Sequence, residues 1–413
     1  MTTRKKGLTP PTRPVWVAAG YLDTEGCRLR GVLHEPPGAG WDSRVLVFKH
    51  GVPQVWLDFP LIPSPGEVEE SYRRVVAKCR DGEGGVYSVR ANALVGEAPS
   101  CTVAICTRER PHELQRCLTR LVESVQPDEE ILVIDNAPRT SATSEVVAEF
   151  QSSRVSLRRV VEPIAGLSRA RNRALGSASG EIVVFLDDDT LPEPGWTVPL
   201  RAAFRSDPAV IVATGLVPPA TLETEGQKAF QSRLHWSDDL IPKLYSLESR
   251  RDWGPLFPFA AGRLGTGANM AVRRRALSEA GGFDRYLGAG TPSRGGEDLE
   301  IFVRILRQGW SLAYVPSSVV WHVHSEKLET TRQHMFGYGS GVTAYLAALL
   351  RQPGKAELLR RIPAGIRYVV EERRGSESSE EMEFGMLLQE VLGFVWGPFA
   401  YARSAVRGRH ELD

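Results

Sequence analysis

The chain predicts an α/β fold: a mostly parallel, Rossmann-like sheet flanked by helices, with a small β-rich domain ahead of it and a helical extension behind. Three observations carry this. From about Ser100, short apolar runs alternate with amphipathic stretches, the pattern of repeated strand–helix–strand units. Before that, residues 14–62 hold short apolar runs separated by Gly, Pro and Asp. After it, Arg351–Asp413 reads as helical, with an acidic break, GSESSEE, at 375–381. The boundaries fall at 1–97, 98–330 and 331–413.

In order, VWVAAGY, RLRGVLHE, RVLVFKHG and QVWLDFPL read as strands. Pro63, Pro65 and Gly66 end them, and Glu67–Lys78 reads as a helix. No catalytic arrangement is visible in this part. Thr102–Cys106 is then a short buried strand. Leu114, Cys117, Leu118, Leu121, Val122 and Val125 fall three and four apart, one stripe of an amphipathic helix. Pro111 suits its first turn, where the missing N–H is not needed. Ile131–Asp135, Leu157–Val161 and Ile182–Leu186 follow as strands, with helices over Ser144–Phe150 and Ser168–Ala178. Trp196–Ser206 continues as a helix and Val210–Thr214 as a strand. TLETEGQ (221–227) reads as a mobile insertion, and compact structure returns over 264–325.

Composition narrows the class. Of 413 residues, 42% are hydrophobic, and Lys+Arg 51 nearly balances Asp+Glu 50. A nucleic-acid binder usually carries a strong basic excess, so no nucleic-acid partner is expected. The 5 cysteines, Cys27, Cys79, Cys101, Cys106 and Cys117, form no CxxC pair and read as reduced thiols of a cytoplasmic protein. MTTRKKGLTPPTRP has no apolar run behind it, so no secretory signal is read. No stretch reaches the roughly 20 apolar residues of a membrane span. VLGFVWGPFAYA (391–402) is too short and holds Gly393, Gly397 and Pro398. Aromatics beside Arg403, Arg407 and Arg409 suit peripheral contact of the C-terminal helices with an anionic inner membrane face. Packing of that helix on the central domain is the competing reading.

Sheets of this kind bind ligands beyond the carboxyl ends of their strands. Thr107-Arg108-Glu109, Asp135-Asn136 and Asp187-Asp188-Asp189 would line one such crevice. Three adjacent carboxylates repel, and one protonates unless a cation compensates. Mg²⁺ or Mn²⁺ suits such oxygen donors and bridges to diphosphate oxygens. A solvated acidic turn, with Asp189 capping a helix, is the alternative. In GGEDLEIFVRILRQGW (295–310), Glu297 and Asp298 open a helix. A carboxylate there can act as a general base, or simply cap the helix. In VVWHVHSE (319–326), His322 and His324 share one face of a strand, where either can ligate a metal or serve structure alone. Arg169, Arg171 and Arg173 in LSRARNR suit phosphate oxygens, or form a solvated helix face. No GxxxxGK[ST], HExxH or GxSxG occurs, and GTGANM (265–270) lacks the third glycine of a dinucleotide fingerprint.

Taken in order, TVAICTRERPHELQRCLTRL, ILVIDNA, GLSRARNRAL, IVVFLDDDTLPEPGW, GTGANMAVRRRALSEAGGFD, GGEDLEIFVRILRQGW and VVWHVH resemble the family 2 glycosyltransferases, which have the GT-A fold. The resemblance covers roughly Ser100–Ser325. It implies inverting transfer of a sugar from a nucleotide-diphosphate donor to a glycan, lipid-linked or natural-product acceptor, assisted by Mn²⁺ or Mg²⁺. It places Thr107, Arg108, Glu109, Asp135, Arg171 and Asn172 around the nucleoside, with Asp187 and Asp188 also on the nucleotide. Asp187 and Asp189 fit the DxD positions, and His322, or His324 in its place, completes the metal site. Gly267 and Asn269 fall in the stretch lining the donor-sugar pocket. Asp298, with Glu297 beside it, matches the base. QSRLHW (231–236) has the wrong spacing for the QxxRW of processive synthases, so addition of one or a few sugars is expected. Two rivals remain. A sugar nucleotidyltransferase would begin its sheet with a glycine-rich phosphate loop, where this chain has CTRERP. A non-catalytic nucleotide-sugar or carbohydrate binder would have no need of a base.

Overall fold

A computed structural model describes residues 13–37, 40–80, 98–151, 155–234, 239–249, 253–373 and 380–410. The basic N-terminus, the stretch 81–97 before the first expected boundary, and most of the acidic run at 375–381 lie outside these residues.

The N-terminal part forms β1 (Val15–Asp23), β2 (Gly26–Gly31), β3 (Asp42–Lys49), β4 (Val52–Phe59) and α1 (Pro65–Arg80). The strands make a 4-stranded sheet in the order β2-β1-β3-β4, with β1 and β3 parallel. Side chains alternate across a strand, and both faces of this sheet are covered. Trp16, Ala18, Val45 and Val47 pack with Val68 and Tyr72 of α1. Val15, Val17, Ala19, Leu46 and Phe48 face the main core instead. This is why VWVAA is a continuous apolar run without alternation.

The central part holds β5 (Cys101–Thr107), α2 (Pro111–Ser124), β6 (Glu130–Asn136), α3 (Ala142–Glu149), β7 (Ser156–Glu162) and α4 (Leu167–Ser177). It continues with β8 (Ile182–Asp187), β9 (Thr190–Pro192), α5 (Thr197–Ser206), β10 (Val210–Leu216), α6 (Glu225–Arg233) and β11 (Lys243–Tyr245). Then come β12 (Asn269–Arg273), α7 (Arg274–Glu279), α8 (Glu297–Arg307) and β13 (Ser311–His322). Among the described residues these strands form one 9-stranded sheet, ordered β11-β13-β10-β12-β8-β5-β6-β7, with β9 paired to β13. Strands β7, β6, β5 and β8 run parallel. The antiparallel β12 separates β8 from β10, which is parallel to β13. The expected α/β class and its two flanking additions are borne out. One layer packs Val103 and Ile105 on α2 and α5, and the other packs Ala104 and Phe185 on α4 and α8.

One local reading changes. TLETEGQ is not a loose insertion: the amide of Val15 donates to the carbonyl of Leu222, and Thr224 with Gln227 forms a capping box on α6. GTGANM runs into β12, which pairs with β8 from Asn269↔Leu186 onward.

The C-terminal part is α9 (Leu328–Leu349), α10 (Lys355–Arg373) and α11 (Glu380–His410). Glycines let α9 and α11 meet backbone to backbone. A Cβ on Gly339 would lie 2.1 Å from the Glu390 carbonyl oxygen, and one on Gly393 would lie 2.2 Å from that of Phe336. The tail thus packs on its neighbour helix, while Val395 and Phe399 on its outer side stay exposed. Among the described residues no helix is long and apolar enough to cross a membrane.

Glu193, just after β9, ties the N-terminal sheet to the central one. It accepts hydrogen bonds from Tyr21 Oη (2.6 Å), Arg30 Nη2 (2.5 Å) and Trp321 Nε1 (2.6 Å). Trp56 of β4 meets the Trp321 ring edge-on. Glu193→Ala strands a buried indole N–H and removes the acceptor of a guanidinium. It is expected to cost about 3 kcal/mol, read as a lowered urea midpoint, with Glu193→Gln costing less. An unchanged midpoint in the alanine variant would show the junction to be energetically idle.

Candidate active site

Register brings the acidic cluster to the sheet's carboxyl edge. Strand β8 ends at Asp187, and its parallel neighbour β5 ends one residue later in pairing, at Thr107. Thr107 Oγ1 donates to Asp188 Oδ2 at 2.7 Å, and Arg110 Nη1 reaches Asp188 Oδ1 at 2.5 Å. Arg110 stands immediately before α2, and its Nη2 also meets Asp189 Oδ2 at 3.0 Å. Asp188 therefore turns inward, whereas Asp187 and Asp189 face an open cleft. Burial pushes the Asp188 carboxyl up to about 7 against the pull of Arg110. Burial and the neighbouring Asp189 raise Asp187, while Arg171 opposes. Burial also acts on Asp189, but His322 and Arg110 outweigh it and hold that carboxyl below its usual value.

The histidines reach the cluster through β13. Its last residue, His322, pairs with Thr190 of β9, which brings His322 Nε2 to 3.4 Å from Asp189 Oδ1. His322 Nδ1 lies 2.8 Å from His324 Nδ1, and His324 Nε2 lies 3.0 Å from Gln231 Oε1. His324 is buried behind its partner; burial, then the His322 ring, hold its pKa well below the ordinary value.

Arg171 on α4 is almost fully buried between the rings of Phe185 and Phe283, 5.5 Å from each centroid. Its Nη1 meets Glu297 Oε1 at 3.1 Å, and its Nη2 meets the Gly267 carbonyl at 3.2 Å and Asp187 Oδ1 at 3.6 Å. The Gly267 amide in turn donates to Asp298 Oδ2 at 2.8 Å. Gly267 is needed there, because a Cβ would lie 2.7 Å from Arg171 Nη2. Gly296 before α8 has φ of 91° and would meet the Gly341 carbonyl at 2.4 Å, so the backbone entering Glu297-Asp298 admits only glycine. Burial, then Asp298, push the Glu297 carboxyl up to about 7, against Arg171.

The cleft, about 1840 Å³, is lined by Arg171, Asp187, Asp189, Gly267, Glu297, Asp298 and His322 together. Phe230, His334 and Tyr338 line it too, and the sequence reading passed over all three. Their helices contribute nothing recognisable until they fold over the sheet edge. Arg110 was also passed over, although it lies one residue beyond the Thr107-Arg108-Glu109 segment.

Other candidates are engaged elsewhere. The Asn172 amide makes both its bonds to the backbone of Phe283, at 2.8 Å each. Asn269 is wholly buried and donates to the carbonyls of Ser318 (2.9 Å) and Leu216 (3.3 Å). Glu109, in left-handed backbone at φ 53°, folds back to accept from the amides of Arg139 and Thr140. Asp135 takes both bonds from Arg159 on Oδ2 and leaves a buried Oδ1 with no partner.

Among the described residues no three His, Cys, Asp or Glu side chains form a ready metal cage. The donor chemistry nevertheless fits a divalent cation. A carboxylate oxygen and an imidazole nitrogen face each other at 3.4 Å beside Asp187, and Mn²⁺ and Mg²⁺ take such ligands with the rest from water or phosphate.

The sheet and its acidic crevice at parallel strand ends define an open α/β ligand-binding domain. Residues 102–279 match the model of Glycosyl transferase family 2, and this stretch of the chain is similar to that family. Among its relatives, the pre-mycofactocin glycosyltransferase of Mycobacterium tuberculosis is 28% identical over 255 residues, 62% of this chain and 48% of that protein. Polypeptide N-acetylgalactosaminyltransferase 5 of Caenorhabditis elegans is 28% identical over 248 residues, 55% of this chain and 38% of that one. An inactive polypeptide N-acetylgalactosaminyltransferase-like protein 5 of Macaca fascicularis is 26% identical over 243 residues, 56% of this chain and 53% of that one. The chain thus spans about half the length of such relatives, or less. Among solved structures, the mannosyltransferase PcManGT of Pyrobaculum calidifontis with GDP-Man and Mn²⁺ has a TM-score of 0.46 at 16% identity, covering 82% of each chain. GalNAc-T7 with UDP, GalNAc and Mn²⁺ has a TM-score of 0.43 at 18% identity, covering 82% of this chain and 68% of that one.

The Glu297 carboxyl has a folded pKa of about 7 against an ordinary 4.5. Between those values the folded chain keeps a proton that the unfolded chain loses. Relative to Glu297→Gln, the parent protein should lose stability as pH rises from 4.5 to 7 and level off above it. The full span is about 3 kcal/mol. Urea midpoints of both proteins across that range check this, and a difference that does not vary with pH counts against it.

Proposed function

We propose that the chain transfers a sugar from a nucleotide-diphosphate donor to an acceptor hydroxyl with inversion, Asp298 serving as the base. The observation that carries this is the convergence of Asp298 with Asp187, Asp189 and His322 on one cleft at the strand ends. In this reading the domain at 98–330 holds the donor and the base, the described helices within 331–413 close the acceptor side, and the described residues within 1–97 brace the sheet. The unpartnered Asp135 Oδ1 takes a hydrogen bond from the nucleobase, beside Arg108 and Glu109. Thr107, Asp188, Asn172 and Asn269 serve the donor site by holding its backbone and carboxylates in place. Arg171 orients Glu297 and Asp187, and Gly267 presents its amide to Asp298 next to the donor sugar.

Asp187, Asp189 and His322 would hold Mn²⁺ or Mg²⁺, with His324 fixing the His322 ring from behind. When bound, such a cation supplies Lewis-acid stabilisation of the diphosphate leaving group. Asp298 accepts the proton of the acceptor hydroxyl as its oxygen attacks the anomeric carbon opposite the nucleotide. Its Oδ2 is already positioned by the Gly267 amide, so little reorganisation precedes transfer. A non-catalytic binder is the second reading, favoured by one matched relative being named inactive.

Two outcomes are expected. Nucleoside diphosphates screened with and without Mn²⁺ should give a metal-dependent thermal shift with one base, abolished in Asp189→Ala. Asp298→Asn should lower turnover about 10²–10⁴-fold while that shift persists. Unchanged turnover removes Asp298 from the role of base, and absence of any shift in folded parent protein favours a different ligand class.

A further inference from the structure

The cleft extends well past its carboxylates. One wall follows α9 from Tyr338 to Leu350, the residue that ends it, twelve residues or about 18 Å at the helical rise. Residues 256–263 and α10 face it. The polar groups along this arm are taken up by the protein itself. Tyr345 Oη donates to the Phe259 carbonyl, and Arg361 Nη1 donates to the carbonyls of Pro255 and Phe257 at 2.5 Å each. Arg361 Nη2 meets Glu357 at 2.8 Å, Tyr245 Oη reaches the Arg263 carbonyl at 3.2 Å, and Tyr314 Oη reaches that of Asp239 at 2.6 Å. Lys243 pairs with Asp239, and Thr343 Oγ1 donates to the Phe394 carbonyl at 2.8 Å. Most of the remaining lining is hydrocarbon and ring surface, from Leu256, Phe259, Leu346, Leu350, Leu358 and Ile362. Leu350 and Ile362 stay 36% and 44% exposed, so part of this lining is bare.

A sugar chain laid here would trade water for carbon and leave its hydroxyls without partners, which is costly. An aliphatic chain gains from the same surface. We propose that this arm holds the apolar body of an amphiphilic acceptor, whose hydroxyl meets Asp298 while a hydrocarbon chain runs along α9. The inference rests on the assignment of Asp298 above. A lipid carrier and a free long-chain natural product share this chemistry.

The test is binding of n-alkyl β-D-glucosides with chains of increasing length to the full chain, by titration calorimetry below their micellar concentrations. Affinity should rise roughly two- to fourfold per methylene until the arm is filled. Leu350→Glu, at the exposed far end, should leave short-chain affinity alone and weaken the longest chains at least tenfold. Leu346→Gln, nearer the carboxylates, should flatten the whole series while the nucleotide thermal shift persists. Should Leu346→Gln fail to fold, the surface variant decides. Gain continuing to the longest chains supports the arm with a lipid as the source. A plateau reached only when the chain spans the arm's roughly 18 Å supports it with a free long-chain natural product, and a plateau well short of that length overturns it. A flat series beside an intact nucleotide shift overturns this inference and leaves the transferase reading standing. A rising series with no nucleotide shift overturns the transferase reading, and the acceptor assignment with it.

Discussion

The structure depends on one buried guanidinium. Asp187, Asp188, Asp189, Glu297 and Asp298 arrive at one sheet edge from two distant stretches of sequence, and their mutual repulsion would otherwise protonate them or push them apart. Arg171 enters this cluster from α4, clamped between two aromatic rings, and touches Glu297, Asp187 and the Gly267 carbonyl at once. Arginine suits the place because its fork stays charged when buried and its planar face stacks on rings. Through Gly267 the same contact reaches Asp298, whose carboxylate accepts the amide on the other side of that residue. Arg110 does the complementary task at the surface of the cluster, where it pairs with both Asp188 and Asp189. Neighbouring aspartates thereby acquire different environments, one turned inward and two facing the cleft.

A second constraint is mechanical. The Asp189–His322 approach exists because β9 pairs with the end of β13. Trp321 of β13 meets Trp56 of the N-terminal sheet edge-on, and Glu193 joins β13 to β1 and β2 through its hydrogen bonds. The N-terminal sheet carries no part of the crevice, yet it buttresses the strand pair that does. On the opposite side α9 presses Gly341 against Gly295 and Gly296, directly ahead of Glu297. The cleft is held from both flanks by segments that lie outside the family-matched region.

Much of this was legible in the chain. Apolar runs of buried parallel strands, the stripe on α2, and clusters of acidic residues at strand ends all report local periodicity and short-range chemistry. Asp187, Asp189, Glu297, Asp298, His322 and Arg171 stood out for those reasons. Other features were not legible, because they arise from contacts between residues far apart in sequence. Asn172 and Asn269 look like ligand-facing amides, but each is drawn to backbone carbonyls 111 and 49 residues away. TLETEGQ looked loose because its cap at Thr224 is reinforced by the carbonyl of Glu326, from across the fold.

By itself the sequence determined the α/β class, the order of its strands and helices, and the residue types gathered at the strand ends. Those follow from periodicity and from the chemistry of neighbouring side chains. Only the tertiary structure decided which aspartates face the cleft, which histidine stands before the other, and how far the cleft runs along α9. These depend on register, on a glycine-mediated helix contact, and on where buried polar groups find partners. No short stretch of sequence contains both members of such a pair.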